Sequence, residues 1–161
     1  MGVQRGKIND NDSELSEKNG VFASLSASAN TTVTTAGTYY PIAGTFTNYP
    51  IENFAEGTVV TPSIKYTGTH TKDFEIDWHA SVKGDAVGIT VHIGVKKGTT
   101  LVASSVMGTY LKAVGEVQAL SGTCSVELST DDEIQLVLTS DSDGDVISVD
   151  HYTTTIKPFF Y

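Results

Sequence analysis

The feature that most constrains the fold is a strict alternation of apolar and polar residues over residues 74–83. The apolar positions are Phe74, Ile76, Trp78, Ala80 and Val82, and each residue between them is polar or charged. Because successive side chains of a strand point to opposite faces, a period of two predicts a strand with one buried and one solvated face. Residues 89–96 repeat the pattern after a Gly-Asp-Ala turn, so the two segments are predicted to pair as a hairpin, with Trp78 in the core.

Composition extends this prediction to the whole chain. Of 161 residues, 49 are Val, Ile or Thr, whereas only 8 are Leu. Branched side chains pack well on a pleated sheet and lose rotamer freedom in a helix. No window of ten residues has helical periodicity, and residues 48–57 are expected to form a long loop. Eight to ten short strands separated by Gly, Ser and Asp turns predict an all-β fold, an antiparallel sandwich or jelly roll.

The chain divides into two unequal parts. Residues 21–161 are predicted to form the β domain, which is long enough for one domain and too short for two of ordinary size. Residues 1–20 contain no aromatic residue and little apolar periodicity, so they bury too little surface to fold alone. They are either a frayed terminus or an extended arm that becomes ordered against a partner. Val3, Ile8 and Leu15 are the sizeable apolar side chains with which such an arm would contact the partner.

Charge excludes several classes of partner. The formal net charge is −9, from 19 acidic and 10 basic residues, which argues against binding to nucleic acid or to an anionic membrane. No apolar run approaches the length of a membrane span, and the first residues lack the apolar core of a signal peptide. The single cysteine, Cys124, fits a protein made in a reducing cytoplasm.

The sequence offers little that could perform catalysis or hold a cofactor. No hydrolase elbow, phosphate loop or paired cysteine ligands are present, and we expect no enzyme activity and no cofactor. Cys124 is predicted to be a buried structural thiol. His79 and His92 would lie close together on the predicted hairpin, but two ligands do not hold zinc, and exposed histidines are the preferred interpretation. Residues 141–145 have the carboxylate spacing that opens a calcium loop; since the pattern then fails at Val146 and Tyr152, a solvated turn is preferred.

Two stretches resemble known families. The run Gly122-Thr-Cys-Ser-Val-Glu-Leu-Ser-Thr-Asp-Asp-Glu-Ile-Gln-Leu-Val-Leu138, followed by an Asp/Gly turn and Val-Ile-Ser-Val-Asp, resembles the closing strands of trimeric jelly rolls of the tumour-necrosis-factor-like and complement-head-like type. The segments Tyr39-Tyr-Pro-Ile-Ala-Gly-Thr-Phe-Thr-Asn48 and Phe74-Glu-Ile-Asp-Trp-His-Ala-Ser-Val-Lys83 are similar in style to small structural proteins of tailed bacteriophages. The resemblance implies a homotrimeric jelly roll in a virion, made in the host cytoplasm.

Apolar surface favours the same assembly. Residues 134–138 are apolar almost throughout, and the chain ends in an aromatic cluster, which together exceed what one sandwich is expected to bury. Closed symmetry is the usual way for identical chains to cover such a patch. The predicted trimer interface consists of Ile134, Leu136, Leu138, Phe159, Phe160 and Tyr161.

Two functions remain open at this point. The first is a capsid decoration (cement) protein, with the arm of residues 1–20 laid against the major capsid protein or other virion proteins. The second is a tail-fibre tip or host-receptor-binding head, for which Tyr49, Phe54 and Tyr66 are candidate aromatic contacts. A glycan hydrolase is disfavoured, since Glu75 and Asp77 would need further carboxylates converging across a cleft.

Overall fold

A computed structural model describes residues 21–49, 53–57 and 63–159. These residues form two antiparallel sheets of six strands each and contain no helix. The prediction of an all-β antiparallel sandwich is therefore confirmed.

Sheet 1 has the strand order β10-β7-β12-β1-β4, with β2 pairing to β12. Its strands are β1 (Val21–Ser28), β2 (Asn30–Thr32), β4 (Gly44–Tyr49), β7 (Lys72–Gly84), β10 (Gln118–Leu128) and β12 (Val146–Pro158). Sheet 2 has the order β5-β6-β11-β8-β9, with β3 pairing to β11. Its strands are β3 (Tyr40–Pro41), β5 (Phe54–Glu56), β6 (Ile64–Tyr66), β8 (Ile89–Lys97), β9 (Thr100–Leu111) and β11 (Glu133–Ser140).

The predicted hairpin between the two alternating segments is wrong. The first segment is β7, which pairs with β10 and β12 in sheet 1. The second is β8, which pairs with β9 and β11 in sheet 2. Residues 85–88 therefore cross from one sheet to the other. A period of two identifies a half-buried strand, but it carries no information about which strand is the neighbour.

The core lies between the two sheets, where the alternation predicts it. Phe74, Ile76, Trp78 and Val82 of β7 are 0–1% exposed and face Ile89, Val91, Ile93 and Val95 of β8, which are 0–3% exposed. An aromatic cluster of Phe54, Tyr66 and Phe74 closes one end of this core, with ring centroids 5.1–5.4 Å apart. The prediction that Trp78 is a core side chain is confirmed.

The region predicted as a long loop, residues 48–57, contains strand structure in its described parts. Strand β4 continues to Tyr49, and β5 occupies Phe54–Glu56. Phe54 is 7% exposed and packs edge-on against Phe74. Phe54 thus joins the core.

Loops gather at the two ends of the sandwich. We call residues 33–39, 85–88, 112–117 and 141–145 the loop end. The terminal end consists of residues 67–71, 98–99, 129–132 and 158–159 together with the first residue of β1, since β1 is antiparallel to β12 and Val21 pairs with Ile156. Strand β1 therefore begins at the terminal end, and the loop end lies on the opposite side of the core.

Candidate interaction surfaces

The middle of the outer face of sheet 1 carries a row of small side chains, with a charged pair on either side of it: Lys157–Asp77 at 2.8 Å and Lys83–Asp150 at 3.0 Å. Cross-strand register places Thr47, Ser24, Thr153, His79 and Ser121 in one row across all five strands of the main path. Their chain neighbours, such as Ala23, Thr154 and Trp78, are buried, so this row faces outward. None of the five carries a formal charge when histidine is neutral. A shallow depression of about 240 Å³ lies beside the row and is lined by His79, Ser81, Ser121 and His151, among others.

The structure separates the two histidines that sequence reasoning placed together. His79 lies on the outer face of sheet 1 between Ser121 and Thr153. His92 pairs with Gly108 and Thr139 in sheet 2. Its neighbours Val91 and Ile93 are buried in the core, so His92 faces away from sheet 1. The two-histidine site is therefore excluded by the strand pairing, and His79 is exposed as expected.

Strand β11 does not present the apolar face that the predicted trimer interface needs. All eight of its residues are buried. Ile134, Leu136 and Leu138 are 0–5% exposed and belong to the core between the sheets. The chain thus covers this strand by itself, and its apolar character gives no reason to invoke a second copy there.

Of the remaining predicted contact residues, only Phe159 lies in the described part of the chain. Phe159 follows β12, is 36% exposed, and its backbone N–H donates to the Asp73 carbonyl oxygen at 2.9 Å. By alternation from buried Pro158 it belongs to the outer face of sheet 1. Phe160 and Tyr161 lie outside the described residues, and so do Val3, Ile8 and Leu15 of the arm.

The acidic turn at residues 141–145 uses its carboxylates to hold backbone. Asp141 Oδ1 accepts from the Thr90 N–H at 3.0 Å, and Asp143 Oδ1 accepts from the Ala36 N–H at 2.6 Å. The Thr90 N–H is the main reason that the pKa of Asp141 lies below its usual value. No group of three or more potential metal-ligating side chains occurs in residues 21–49, 53–57 and 63–159. The turn is therefore built as an anchor for neighbouring loops.

Cys124 is a core thiol, as predicted. It is 6% exposed, and burial raises its pKa to about 11. A thiol with so little thiolate at neutral pH is a poor nucleophile and a poor metal ligand.

Two structural residues escaped sequence reasoning. Ser105 is fully buried at an irregularity in the β8–β9 pairing, where its Oγ accepts from Val95 N at 2.7 Å and donates to Val102 O at 2.6 Å. Gly122 faces Trp78 across β10 and β7, and a Cβ there would lie 2.5 Å from Trp78 Cζ2. Neither Ser105 nor Gly122 can be recognised from the sequence alone, because the role of each depends on which strand lies beside it.

The two ends of the sandwich differ in what they expose. At the terminal end, Lys65 pairs with Asp131 at 2.6 Å and Lys97 with Asp132 at 2.8 Å. At the loop end and the adjoining end of β9, four large apolar side chains are exposed: Val87, Tyr110, Val114 and Val117. Within the described ranges, no helix has the length and apolar character needed to cross a membrane.

Comparison with known proteins defines the fold and nothing finer. No family model and no curated protein matches the chain. Among solved structures it is similar to Eiger TNF from S. frugiperda, with a TM-score of 0.52 and 10% identity, over 87% of this chain and 93% of that one. It also matches the globular domain of the zebrafish complement 1qA protein, with a TM-score of 0.45 and 10% identity, over 88% of this chain and 98% of that one. A chain of infectious bursal disease virus Gx strain matches with a TM-score of 0.49 and 9% identity, over 86% of this chain and 32% of that one. The likeness to Eiger, with the two antiparallel sheets, confirms the predicted jelly roll.

Proposed function

We propose that the protein is a non-enzymatic structural component of a bacteriophage virion, a homotrimeric capsid decoration (cement) protein that binds and stabilises the head shell. The observation that carries this proposal is the combination of a jelly roll similar to Eiger TNF with a row of small, uncharged side chains across the middle of the outer face of sheet 1. A structural or binding role is compatible with this fold, and burial makes the thiol of Cys124 a poor nucleophile.

The outer face of sheet 1 is the surface we assign to trimer contacts, in place of β11. Here the central row offers Ser, Thr and His, which cost little conformational entropy when they are buried. A second copy of the chain that contacts this row desolvates no formal charge there, while the ion pairs Lys157–Asp77 and Lys83–Asp150 lie at the edges of the contact.

Introducing a charge into the central row tests that assignment. Ser121 is exposed in the single chain, so Ser121→Arg should fold normally while blocking close approach of another copy. We expect sedimentation of the variant to show a shift from trimer to the 17.1 kDa monomer. Ala103→Arg is the matched control, because Ala103 is exposed on β9 of sheet 2. If the Ser121→Arg protein remains trimeric, as the Ala103→Arg control does, the trimer interface does not lie on the outer face of sheet 1.

The arm provides the proposed attachment to the particle. Residues 1–20 join β1 at the terminal end, so three arms would leave a trimer with parallel subunits from the same end. Three weak contacts made by one trimer act together through their effective concentration. The segment would lie extended on coat subunits, with Val3, Ile8 and Leu15 in pockets, as segments that fold on binding do.

Deletion of residues 2–18 tests the arm. The truncated protein should fold and trimerise as before and lose its attachment to particles, measured by co-sedimentation with purified heads. Full occupancy by the truncated protein would place the contact on the jelly roll and reduce the arm to a frayed terminus.

A second function, a tail-fibre tip or host-receptor-binding head, is favoured by one observation. The exposed apolar side chains of the loop end lie away from the arm, where a receptor could reach them. Electron microscopy of particles carrying a labelled chain separates the two functions: label distributed over the head supports decoration, and label confined to the tail supports a receptor-binding head.

A further inference from the structure

The loop end and the adjoining end of β9 carry most of the large exposed apolar side chains in the described parts of the chain. Six such side chains occur in residues 21–49, 53–57 and 63–159: three belong to the loop end, and a fourth, Tyr110, lies at the end of β9. Val87 is 67% exposed, Val114 63%, Val117 54% and Tyr110 53%. Single exposed apolar residues are ordinary, but a group on adjoining loops is typical of a surface that binds a partner.

Hydrogen bonds join these residues into one surface. The Gly88 N–H donates to the Leu111 carbonyl oxygen at 2.9 Å, which fixes the loop carrying Val87 beside the end of β9. A Cβ on Gly88 would lie 3.3 Å from the Tyr110 hydroxyl, so the phenol lies next to that loop. The Gly115 N–H donates to the Gly84 carbonyl oxygen at 3.0 Å, which holds the turn carrying Val114 against the end of β7.

The same loops are held rigidly by acidic side chains. Asp141 Oδ1 accepts from Thr90 N, and Asp85 Oδ1 accepts from Val146 N at 3.1 Å. Glu116 Oε2 accepts from Lys112 N at 2.7 Å, and this bond is the main reason that the pKa of Glu116 lies below its usual value. These hydrogen bonds favour one arrangement of the loops, and such preorganisation lowers the entropic cost of binding.

The charge of the loop end has one sign. Its loops carry five acidic residues, Asp85, Glu116, Asp141, Asp143 and Asp145, against one basic residue, Lys112. The two kinds of side chain are interspersed, with Asp85 near Val87 and Glu116 between Val114 and Val117. Such a surface complements a partner segment in which basic and apolar side chains also alternate.

We infer that the loop end is a docking surface for a protein partner whose contacting segment alternates basic and apolar side chains. The valines and Tyr110 supply the area buried on binding, and the carboxylates select the partner by charge. The surface lies at the end of the sandwich opposite the start of β1, so it stays accessible while the arm is engaged. This inference goes beyond the proposed attachment to a shell and does not depend on it.

The test uses the full-length ¹⁵N-labelled protein and a hexapeptide of alternating lysine and valine. We expect chemical-shift changes confined to residues 85–88 and 110–117 and to the turn at 141–145, with affinity falling at least tenfold when salt is raised from 20 to 300 mM. Two further peptides separate the contributions: glutamate in place of lysine removes charge complementarity, and serine in place of valine removes the apolar contact. Each should bind at least tenfold more weakly.

Variants link the binding to the named side chains. Val114→Ser with Val117→Ser should lower the affinity for the lysine–valine peptide at least fivefold. Met107→Gln is the matched control, because Met107 is 46% exposed on β9 outside the loop end and its loss should leave binding unchanged. Three results would each overturn the inference. The lysine–serine peptide could bind as tightly as the lysine–valine peptide, the chemical-shift changes could extend over other acidic faces, or the double variant could bind the lysine–valine peptide as tightly as the native protein does.

Discussion

The two ends of the sandwich differ in the contacts that their charged side chains make. At the terminal end, charged side chains neutralise one another, as in the pairs Lys65–Asp131 and Lys97–Asp132. At the loop end, carboxylates such as those of Asp141 and Asp143 bind backbone N–H groups, and valines project into solvent. One end thus carries ion pairs, whereas the other exposes apolar side chains on loops that backbone hydrogen bonds hold together. This difference is the basis for our proposal that the loop end binds a partner.

Both ends depend on one core, and removing its largest side chain should affect them together. Trp78 is fully buried at the middle of β7, and truncating a buried aromatic residue to alanine costs about 3–5 kcal/mol. We expect Trp78→Ala to lower the free energy of unfolding by that amount in denaturant titration. Hydrogen exchange should then accelerate equally at the two ends; an unchanged stability would mean that the faces of β7 are reversed.

A smaller change tests how tightly the same core is packed. Gly122→Ala would place a Cβ 2.5 Å from Trp78 Cζ2, and overpacking of this kind costs about 1–3 kcal/mol. Gly37→Ala is a useful contrast, because no atom lies within 4 Å of a Cβ there although its φ of +74° is unfavourable for alanine. Thermal unfolding of both variants separates a packing cost from a backbone cost. A Gly122→Ala protein as stable as the native one would show that the indole has room to move.

Sequence reasoning found the elements of this fold more readily than their partners. Alternation located β7 and β8 and placed Trp78 inside, because the period of two depends only on local geometry. It failed on the predicted hairpin and on the pairing of His79 with His92, because residues 85–88 are compatible with either a turn or a crossing between sheets. The apolar run of β11 indicated burial on both faces, but the sequence did not reveal that the chain itself supplies the cover. The turn at residues 141–145 was predicted, but the grouping of exposed valines at the loop end was not, since these valines are dispersed in sequence.

Salt should distinguish a carboxylate that pairs with a lysine from one that accepts a hydrogen bond from a backbone N–H. The pKa of Asp77 is lowered mainly by its hydrogen bond from Lys157, and that of Asp141 mainly by the Thr90 N–H. A lowered pKa contributes stability above the unfolded value near 4, and that contribution is lost as the pH falls through the folded value. Since solvent screens both groups, Asp77→Ala and Asp141→Ala should each cost no more than about 1 kcal/mol at pH 7. In 0.5 M salt the cost should fall for Asp77→Ala and persist for Asp141→Ala; an identical salt response would remove the distinction.

Replacing the exposed valines of the loop end should change stability least among these variants, although it should weaken binding of the lysine–valine peptide at least fivefold. Val114 and Val117 are more than half exposed, so replacing both with serine should change the free energy of unfolding by no more than about 0.5 kcal/mol. Urea titration of the double variant beside the native protein measures this. A large loss of stability would show that these valines support the fold.

The proposal of a homotrimeric structural protein is tested most directly by sedimentation equilibrium of the full-length chain at micromolar concentration. The account predicts a single species with three times the 17.1 kDa mass of the chain. A species of 17.1 kDa that persists as the concentration is raised would contradict it.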